Sequence, residues 1–232
     1  MRILGLIPAR GGSKGVPKKN IKFLGKIPLI EYTLLSAKDS KLLTAIVVST
    51  DDTAIALVSE NFGYKPPFSR PTEFAQDTST SLEVAQHAIA FFESRNIFFD
   101  AVCLLQPTNP FREKGSIDKA IEKFIETGAD CLLSVLPIPH EYNPHWAFEE
   151  CENGLLKIAT GEDQIITRRQ ELPKAFHRDG SIYITKTAII KNGSLYGKSI
   201  AYLATNPQFH VNIDTMKDWE TAEHILQNFK KV

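Results

Sequence analysis

Four short apolar runs, separated by segments with helical periodicity, constrain the fold of this chain more than any other feature. The runs occupy residues 2–8, 45–50, 101–106 and 131–138. Continuous apolar runs of this length are typical of strands that are buried on both faces of a parallel sheet. Their regular alternation with helical patterns predicts an α/β fold with a doubly wound, mostly parallel sheet.

The predicted topology also indicates where a ligand would bind. Right-handed crossovers place the carboxyl ends of parallel strands, and the loops that follow them, at one rim of the sheet. Helix boundaries are predicted at residues 78–81 and at Ser116, whose hydroxyls can cap free N–H groups, and at Gly63 and Gly128, which are typical helix ends. Thr215 and Asp218 resemble a capping box at the start of a last helix.

The strand–helix alternation stops between about residues 139 and 180. This stretch has no sustained helical period and contains apolar residues such as Trp146, Phe148, Leu155 and Leu156. Long irregular segments within a compact domain are usually functional. We therefore treat residues 1–232 as a single domain whose insertion, at about 139–180, is either a lid or a dimerisation arm.

Composition and charge disfavour several classes of protein. The chain has 27 basic and 27 acidic residues, whereas nucleic-acid binders are usually basic overall. Its three cysteines have no metal-type spacing, which is typical of proteins from reducing compartments. The sequence shows no leader and no membrane-spanning run, so we expect a cytoplasmic protein without nucleic-acid or membrane partners.

The loop after the first predicted strand concentrates positive charge. The first thirty residues carry seven basic side chains and no acidic one. These basic residues are Arg2, Arg10, Lys14, Lys18, Lys19, Lys22 and Lys26. Gly11, Gly12 and Gly15 lie among them and let backbone amides approach a ligand closely. Because crowded like charges repel one another unless an anion neutralises them, the loop is predicted to bind a phosphate-rich ligand such as a triphosphate.

The spacing of this loop excludes two common phosphate motifs. There is no GxxxxGK[ST], so the loop is not a P-loop, and there is no GxGxxG of the dinucleotide-binding fold. Two other interpretations stay open on the residues alone. The loop could be a solvated basic segment, or it could contact a nucleic-acid backbone.

Six segments of the chain occur together in one known family. They are IPARGGSKGVPKKN (7–20), VVSTDD (47–52), RPTEFAQDTSTS (70–81), LLQPTNPFR (104–112), RRQELPKAFHRDGSIYI (168–184) and VNIDTMKDWETAE (211–223). In this order the segments resemble the acylneuraminate cytidylyltransferases, the CMP-sialic acid synthetase family. The resemblance implies a Rossmann-like nucleotidyltransferase fold. It also implies transfer of CMP from CTP to the anomeric hydroxyl of an acidic nonulosonic sugar, with release of pyrophosphate.

The resemblance implies roles for residues that would contact the nucleotide. Arg10 and Lys19 would hold the triphosphate, and Arg10 would stabilise the charge that develops on the leaving pyrophosphate. Nucleotidyl transfer does need cations fixed on the phosphoryl oxygens. The implied nucleotide-binding set is Arg10, Gly11, Gly12, Lys14, Lys19, Asn20, Arg70 and Ser81, and the implied catalytic set is Arg10, Lys19 and Asp214.

A second set of residues is expected to bind the acceptor sugar. Gln106 ends the third predicted strand, where its amide suits a sugar hydroxyl or N-acyl group, although it could equally be a polar residue that closes the strand. Arg169 is the best candidate for the acceptor carboxylate, because a planar guanidinium binds a carboxylate bidentately. Gln170 and His177 complete the set, and His177 stands where some relatives carry arginine.

Asp214 is predicted to hold Mg²⁺ (or Mn²⁺) against the α-phosphate. The family commonly has Asp-x-Asp here, whereas this chain has Asn212 at the first position. Asparagine can ligate a metal through its carbonyl oxygen but supplies no charge. A simpler interpretation of Asp214 is an acid that the helix dipole favours at a helix N-terminus.

Several alternative functions remain at this stage. The chain could activate a different keto-sugar, such as 3-deoxy-manno-octulosonate, or a sugar 1-phosphate, but GSKG-x-P-x-K-N favours the acylneuraminate branch. A glycosyltransferase would usually carry Asp-x-Asp where this chain has Gln106-Pro107-Thr108. A nucleic-acid module would interleave aromatic and basic residues, and the basic loop has only Phe23. We expect CTP and an acidic sugar as substrates, and a homodimer in which Arg169 lies near the neighbouring subunit's site.

Overall fold

A computed structural model describes residues 1–229 of the chain, without the side chain of the last of these. The strands of the described part are β1 (Ile3–Pro8), β2 (Phe23–Leu24), β3 (Ile27–Pro28), β4 (Ala45–Ser49), β5 (Ala101–Leu105), β6 (Cys131–Pro137), β7 (Phe148–Glu150), β8 (Leu156–Ile158), β9 (Phe176–Lys186) and β10 (Ile200–Ala204). Its α-helices are α1 (Leu29–Asp39), α2 (Thr53–Asn61), α3 (Ser81–Glu93), α4 (Ser116–Thr127), α5 (Thr187–Lys191) and α6 (Met216–Phe229).

A six-stranded sheet in the order β10–β6–β9–β5–β1–β4 forms the centre of the fold. All neighbours are parallel except β9, which runs antiparallel to both β5 and β6. The doubly wound, mostly parallel fold is therefore confirmed. Because β9 is antiparallel, its first half lies at the same rim as the carboxyl ends of β1, β4 and β5.

Helices cover both faces of this sheet. On one face α1, α2 and α4 contribute buried residues such as Leu34, Ile55 and Phe124, and on the other α3 and α5 contribute Val84 and Ile190. Burial on both faces explains why β1, β4, β5 and β6 have almost continuously apolar sequences. Helix α6 packs with the β2–β3 hairpin in a separate cluster that includes Leu24 and Trp219. No helix of the described part is long and apolar enough to cross a membrane.

The predicted helix boundaries are confirmed with one exception. Thr80 forms a capping box with Glu83, and Thr215 forms the predicted one with Asp218. The prediction that Ser116 caps α4 is wrong, because the cap is Gly115, whose φ of 75° is left-handed. Glycine adopts the left-handed conformation at the lowest cost in energy. With Gly115 as the cap, Ser116 is the first residue inside the helix. There the Ser116 hydroxyl is buried and has no hydrogen-bond partner among the described residues.

The segment that follows β6 is irregular, as predicted, but it is not without strands. It contains the β7–β8 hairpin and several turns of 3-10 helix, and residues 176–180 form the first part of β9. Trp146 is half-buried, and its Nε1 donates to the carbonyl oxygen of Ile166 at 2.6 Å. The hairpin residues Phe148 and Leu156 remain 50% and 66% exposed. The segment thus partly buries Trp146 but leaves Phe148 and Leu156 exposed.

Candidate active site

A cleft of about 310 Å³ opens at the rim where β1, β4 and β5 end. Residues from distant parts of the sequence line it, because these parallel strands deliver their following loops to one place. Among the lining residues are Arg10, Lys14, Lys19, Asn20, Arg70, Ser81, Gln106 and Asp214. The structure therefore brings together most of the residues that the sequence assigns to the nucleotide and the metal.

Lys19 connects the basic loop to the segment before α6. Its Nζ donates to the carbonyl oxygen of Ile213 at 2.6 Å and to Oδ1 of Asp214 at 3.1 Å. Its side chain is only 12% exposed, so its charge depends on these oxygens for solvation. The next residue, Asn20, is buried and donates from Nδ2 to the carbonyl oxygen of Arg10 at 3.0 Å. These contacts tie the basic loop to the segment before α6 and to its own backbone.

Arg10 and Lys14 share one acidic partner. Nη1 of Arg10 lies 2.7 Å from Oδ1 of Asp77, and Nζ of Lys14 forms an ion pair with the other carboxylate oxygen. Hydrogen bonds from Lys14 and from Arg10 hold the pKa of Asp77 below its usual value. Asp77 lies in the segment 70–81 that carries the family resemblance, but the sequence offers no signal that it pairs with a loop more than sixty residues earlier.

Asp214 is held by neutral groups as well as by a cation. Its Oδ2 accepts from Nδ2 of Asn212 at 2.6 Å, and Oδ1 of Asn212 accepts from Nδ2 of Asn109 at 3.3 Å. The backbone N–H of Asp214 donates to Asp218 at 3.0 Å, at the start of α6. Asn212 thus takes part in orienting the Asp214 carboxylate, with both ends of its own amide engaged.

Two buried arginines stabilise the walls of the cleft. Arg70 donates to the carbonyl oxygens of Ser49 and Phe74, and burial lowers its pKa. Arg112 is buried, and burial lowers its pKa to about 10, so it remains charged at neutral pH. The Nη2 of Arg112 donates at 2.8 Å to the carbonyl oxygens of both Gln106 and Ser181. Arg112 therefore fixes the backbone of Gln106 against β9. Arg112 lies in the LLQPTNPFR segment, and its burial cannot be deduced from the sequence of that segment.

A second cleft, of about 340 Å³, adjoins the first. The two share Thr80, Ser81 and Gln106 as lining residues. Beyond this shared wall the second cleft is lined by residues that include Arg178, Tyr183 and Tyr196. Together the clefts form a site with a strongly basic half and a less charged half.

Comparison with known proteins agrees with this arrangement. A family model described as "Cytidylyltransferase" matches residues 4–230. The chain belongs to the cytidylyltransferase family. It is 36% identical over 230 residues to the CMP-N,N'-diacetyllegionaminic acid synthase of Legionella pneumophila, covering 98% of this chain and 97% of that protein. It is also 36% identical over 225 residues to a pseudaminic acid cytidylyltransferase of Campylobacter jejuni, covering 96% and 95% of the two chains.

The cytidylyltransferase fold is also found in more distant solved structures. A CMP:2-keto-3-deoxy-manno-octonic acid synthetase, solved with CTP, superposes with a TM-score of 0.71. The alignment covers 98% of this chain and 99% of that one at 15% identity. At this identity the likeness establishes the shared fold alone.

Some of the predicted site residues line neither of the two clefts. Gly11 and Gly12 belong to the basic loop but line neither cleft, and the Gly11 N–H donates to Asp51 at 3.1 Å. Arg169, Gln170 and His177 are exposed and also line neither cleft. Arg169 and Gln170 form part of a 3-10 turn in the insertion. The basic residue from this region that does reach a cleft is Arg178.

Gly15 makes a close contact that yields a first prediction. A Cβ atom built on Gly15 would lie 1.9 Å from the carbonyl oxygen of Asp214, which is backbone and cannot turn aside. We expect Gly15→Ala to push the basic loop away from Asp214 and to lower kcat/KM on the order of 100-fold, since small misplacements in a preorganised site cost this much. The neighbouring change Gly12→Ala meets no atom within 4 Å and serves as a matched control. Equal activities of the two variants would contradict the prediction.

Proposed function

We propose that the protein transfers CMP from CTP to the anomeric hydroxyl of an acidic nonulosonic sugar of neuraminic, legionaminic or pseudaminic type, releasing pyrophosphate. The observation that carries this proposal is the cleft that Arg10, Lys14 and Lys19 line, where Asp214 is the one acidic residue among the described lining residues. Three cations suit a triphosphate better than an uncharged ligand. The similarity to enzymes named for legionaminic and pseudaminic acids supports an acidic nine-carbon acceptor.

The reaction requires little covalent chemistry from the protein. The anomeric hydroxyl oxygen of the sugar attacks the α-phosphorus of CTP and loses its proton to solvent, and the bond from that phosphorus to the bridging oxygen of the β-phosphate breaks. Negative charge then grows on the leaving pyrophosphate. Arg10 and Lys19, already fixed by the surrounding contacts, would stabilise that charge without reorganising during the step. Arg70 and Ser81 lie in the same cleft and would contact the nucleoside part of CTP.

The residues present fit a Mg²⁺ (or Mn²⁺) ion that is held jointly with the substrate. No group of three His, Cys, Asp or Glu residues within the described chain could hold a metal ion without help. Mg²⁺ commonly takes one or two protein carboxylates and completes its shell with phosphate oxygens and water. Asp214 would supply the carboxylate, and Asn212 would orient it. When bound, the ion would neutralise charge on the phosphates.

The ion pairs of Asp77 lead to a prediction about nucleotide affinity. Its carboxylate neutralises Arg10 and Lys14, so the phosphates of CTP compete with it for the same cations. We expect Asp77→Asn to tighten CTP binding about 2- to 10-fold, because exposed ion pairs are individually weak. Isothermal titration calorimetry with CTP at low ionic strength measures the change. Weaker CTP binding would instead mean that Asp77 serves to position the two cations.

We propose further that the protein acts as a homodimer through the insertion at about 139–180. Phe148, Leu155, Leu156 and Ile165 of this segment are exposed, and a second copy would cover such apolar side chains. In such a dimer, Arg169 and Gln170 could contact the sugar site of the neighbouring subunit. Light scattering at micromolar concentration tests this. A monomeric mass with full activity contradicts the dimer and favours a segment that acts within its own subunit.

The decisive experiment is a substrate panel. CTP, UTP, ATP and GTP are each mixed with neuraminic, legionaminic and pseudaminic acids and with 3-deoxy-manno-octulosonate, and pyrophosphate release is recorded. Release with CTP and a nonulosonic acid is expected. A preference for another nucleotide, or for 3-deoxy-manno-octulosonate over the three nonulosonic acids, contradicts the proposal.

We propose that the reaction takes place in a reducing compartment such as the cytoplasm, since Cys103, Cys131 and Cys151 are all free thiols.

A further inference from the structure

We propose that Arg178 binds the carboxylate of the acceptor sugar and thereby sets the preference for acidic acceptors. This inference rests on the proposed function, because it names the residue that recognises the acceptor in that reaction. The sequence had given this role to Arg169. The argument for Arg178 depends on where its guanidinium lies, on which charges surround it and on how β9 holds it.

Arg178 lies in the second cleft, beside the cleft that the proposed function assigns to the triphosphate. The second cleft shares Thr80, Ser81 and Gln106 with the first, so a molecule bound there would contact one bound in the phosphate cleft. The basic loop and Asp214 line only the first cleft. An acceptor must approach the α-phosphate from outside the triphosphate, and the second cleft provides that approach.

Arg178 is the sole charged residue that lines the second cleft among the residues that the structure describes. Its Nη1 donates to the hydroxyl of Tyr196 at 2.6 Å, and no carboxylate of residues 1–229 pairs with it. The other donors of the guanidinium are free to bind a carboxylate bidentately. Tyr183, beside it, is buried, and burial raises its pKa to about 12, so its phenol stays neutral and does not repel an acid.

An irregularity in β9 holds Arg178 in place. Arg178 pairs with Val135, and the pairing with β6 resumes only at Tyr183, opposite Leu133. Between them Gly180 adopts a left-handed φ of 82°. Asp179 is buried and accepts from the N–H of Ser181 at 2.8 Å and from Oγ1 of Thr205 at 2.6 Å. Arg178 is thus presented by an anchored stretch of backbone, which favours recognition of one group in one orientation.

The same strand geometry separates Arg178 from its neighbour. Successive side chains of a strand point to opposite faces, so His177 and Arg178 cannot both enter the cleft. In the structure Arg178 lines the cleft and His177 does not. Arg169 lies outside it as well. A carboxylate bound in the second cleft would therefore meet Arg178 as its charged partner from this subunit.

The test measures selectivity for charge in the full-length protein. Steady-state kinetics at saturating CTP use the nonulosonic acid that gives the most pyrophosphate and the methyl ester of the same sugar. For Arg178→Gln we expect the KM of the acid to rise about 10- to 100-fold, the loss expected for a charged hydrogen bond. The KM of CTP and of the ester should change little, so the preference for the acid over the ester should fall by the same factor.

Control variants separate this role from others. Arg168→Gln changes an arginine that pairs with Glu171 and lines neither cleft, and it should behave as wild type. Tyr196→Phe removes the hydroxyl that holds Arg178 and should raise the KM of the acid by a smaller factor. Thermal unfolding confirms that each variant is folded.

Two outcomes would overturn the inference. One is an Arg178→Gln enzyme that keeps its preference for the acid, in particular if Arg169→Gln loses that preference. The other is an equal rise in KM for acid and ester, which would indicate a loss of shape and not of charge recognition. Failure of the proposed function is distinguishable, since the wild-type protein would then release no pyrophosphate with CTP and any of the acids.

Discussion

Replacing Asp214 with alanine should lower kcat on the order of 1,000-fold while the protein remains folded. Asp214 is exposed, so its removal leaves no buried cavity. The loss comes from two sources. The proposed metal ion loses its protein carboxylate, and a metal ion typically stabilises the transition state by several kcal/mol. Each loss of about 1.4 kcal/mol lowers the rate tenfold. Lys19, whose side chain is nearly buried, loses the carboxylate that its Nζ contacts at 3.1 Å.

Activity alone would not separate these two sources, so the measurement includes binding. Calorimetry with CTP in the presence and absence of Mg²⁺ should show that the metal strengthens CTP binding to the wild type but not to Asp214→Ala. Asn212→Asp is the matched control, since it adds a carboxylate beside Asp214 and should strengthen the Mg²⁺ dependence. Near-normal turnover of the wild type in excess EDTA would contradict the metal proposal, and unchanged kcat in Asp214→Ala would contradict both roles.

The sequence predicts the central strands because each must be apolar on both faces. β1, β4, β5 and β6 satisfy that condition and were predicted nearly to the residue. The direction of β9 was not predictable, because its second half, residues 180–185 (GSIYIT), has the same kind of composition that a parallel strand would have. Nor was its length, since its first residues include the polar His177, Arg178 and Asp179 and resemble a loop.

The candidate site divides in a similar way. Arg10, Lys14 and Lys19 could be placed in one candidate phosphate-binding loop from the loop alone, since charge crowding is a local property, whereas their individual roles rest on the family resemblance. Asp77, Arg112 and Arg178 could not be assigned, because the role of each depends on at least one partner that is eighteen or more residues away in the sequence. Arg112 shows the difficulty most clearly. An arginine in a polar-looking segment is normally exposed, yet this one is buried and donates to the carbonyl oxygens of Gln106 and Ser181 and to the hydroxyl of Thr33.

Substituting Arg10 with alanine is the second change with a large expected effect. Arg10 lines the phosphate cleft with a side chain that is 34% exposed, and its guanidinium is fixed at 2.7 Å from Asp77. If it stabilises the leaving pyrophosphate, its loss should cost about 3 kcal/mol of transition-state stabilisation, the usual effect of removing one preorganised donor. We therefore expect kcat/KM for CTP to fall about 100-fold, with most of the loss in kcat.

The Asp77 contact provides an internal control for that result, because Asp77 would oppose phosphate binding where Arg10 would promote it. Asp77→Asn should tighten CTP binding in the wild-type background but should have a smaller effect once Arg10 is alanine, since one of its two cations is then absent. A double-mutant cycle on CTP affinity measures this coupling. Additive effects would show that Asp77 acts through Lys14 alone. A fall of kcat/KM in Arg10→Ala that resides wholly in KM would show that Arg10 binds the ground-state nucleotide and does not contribute selectively to pyrophosphate departure.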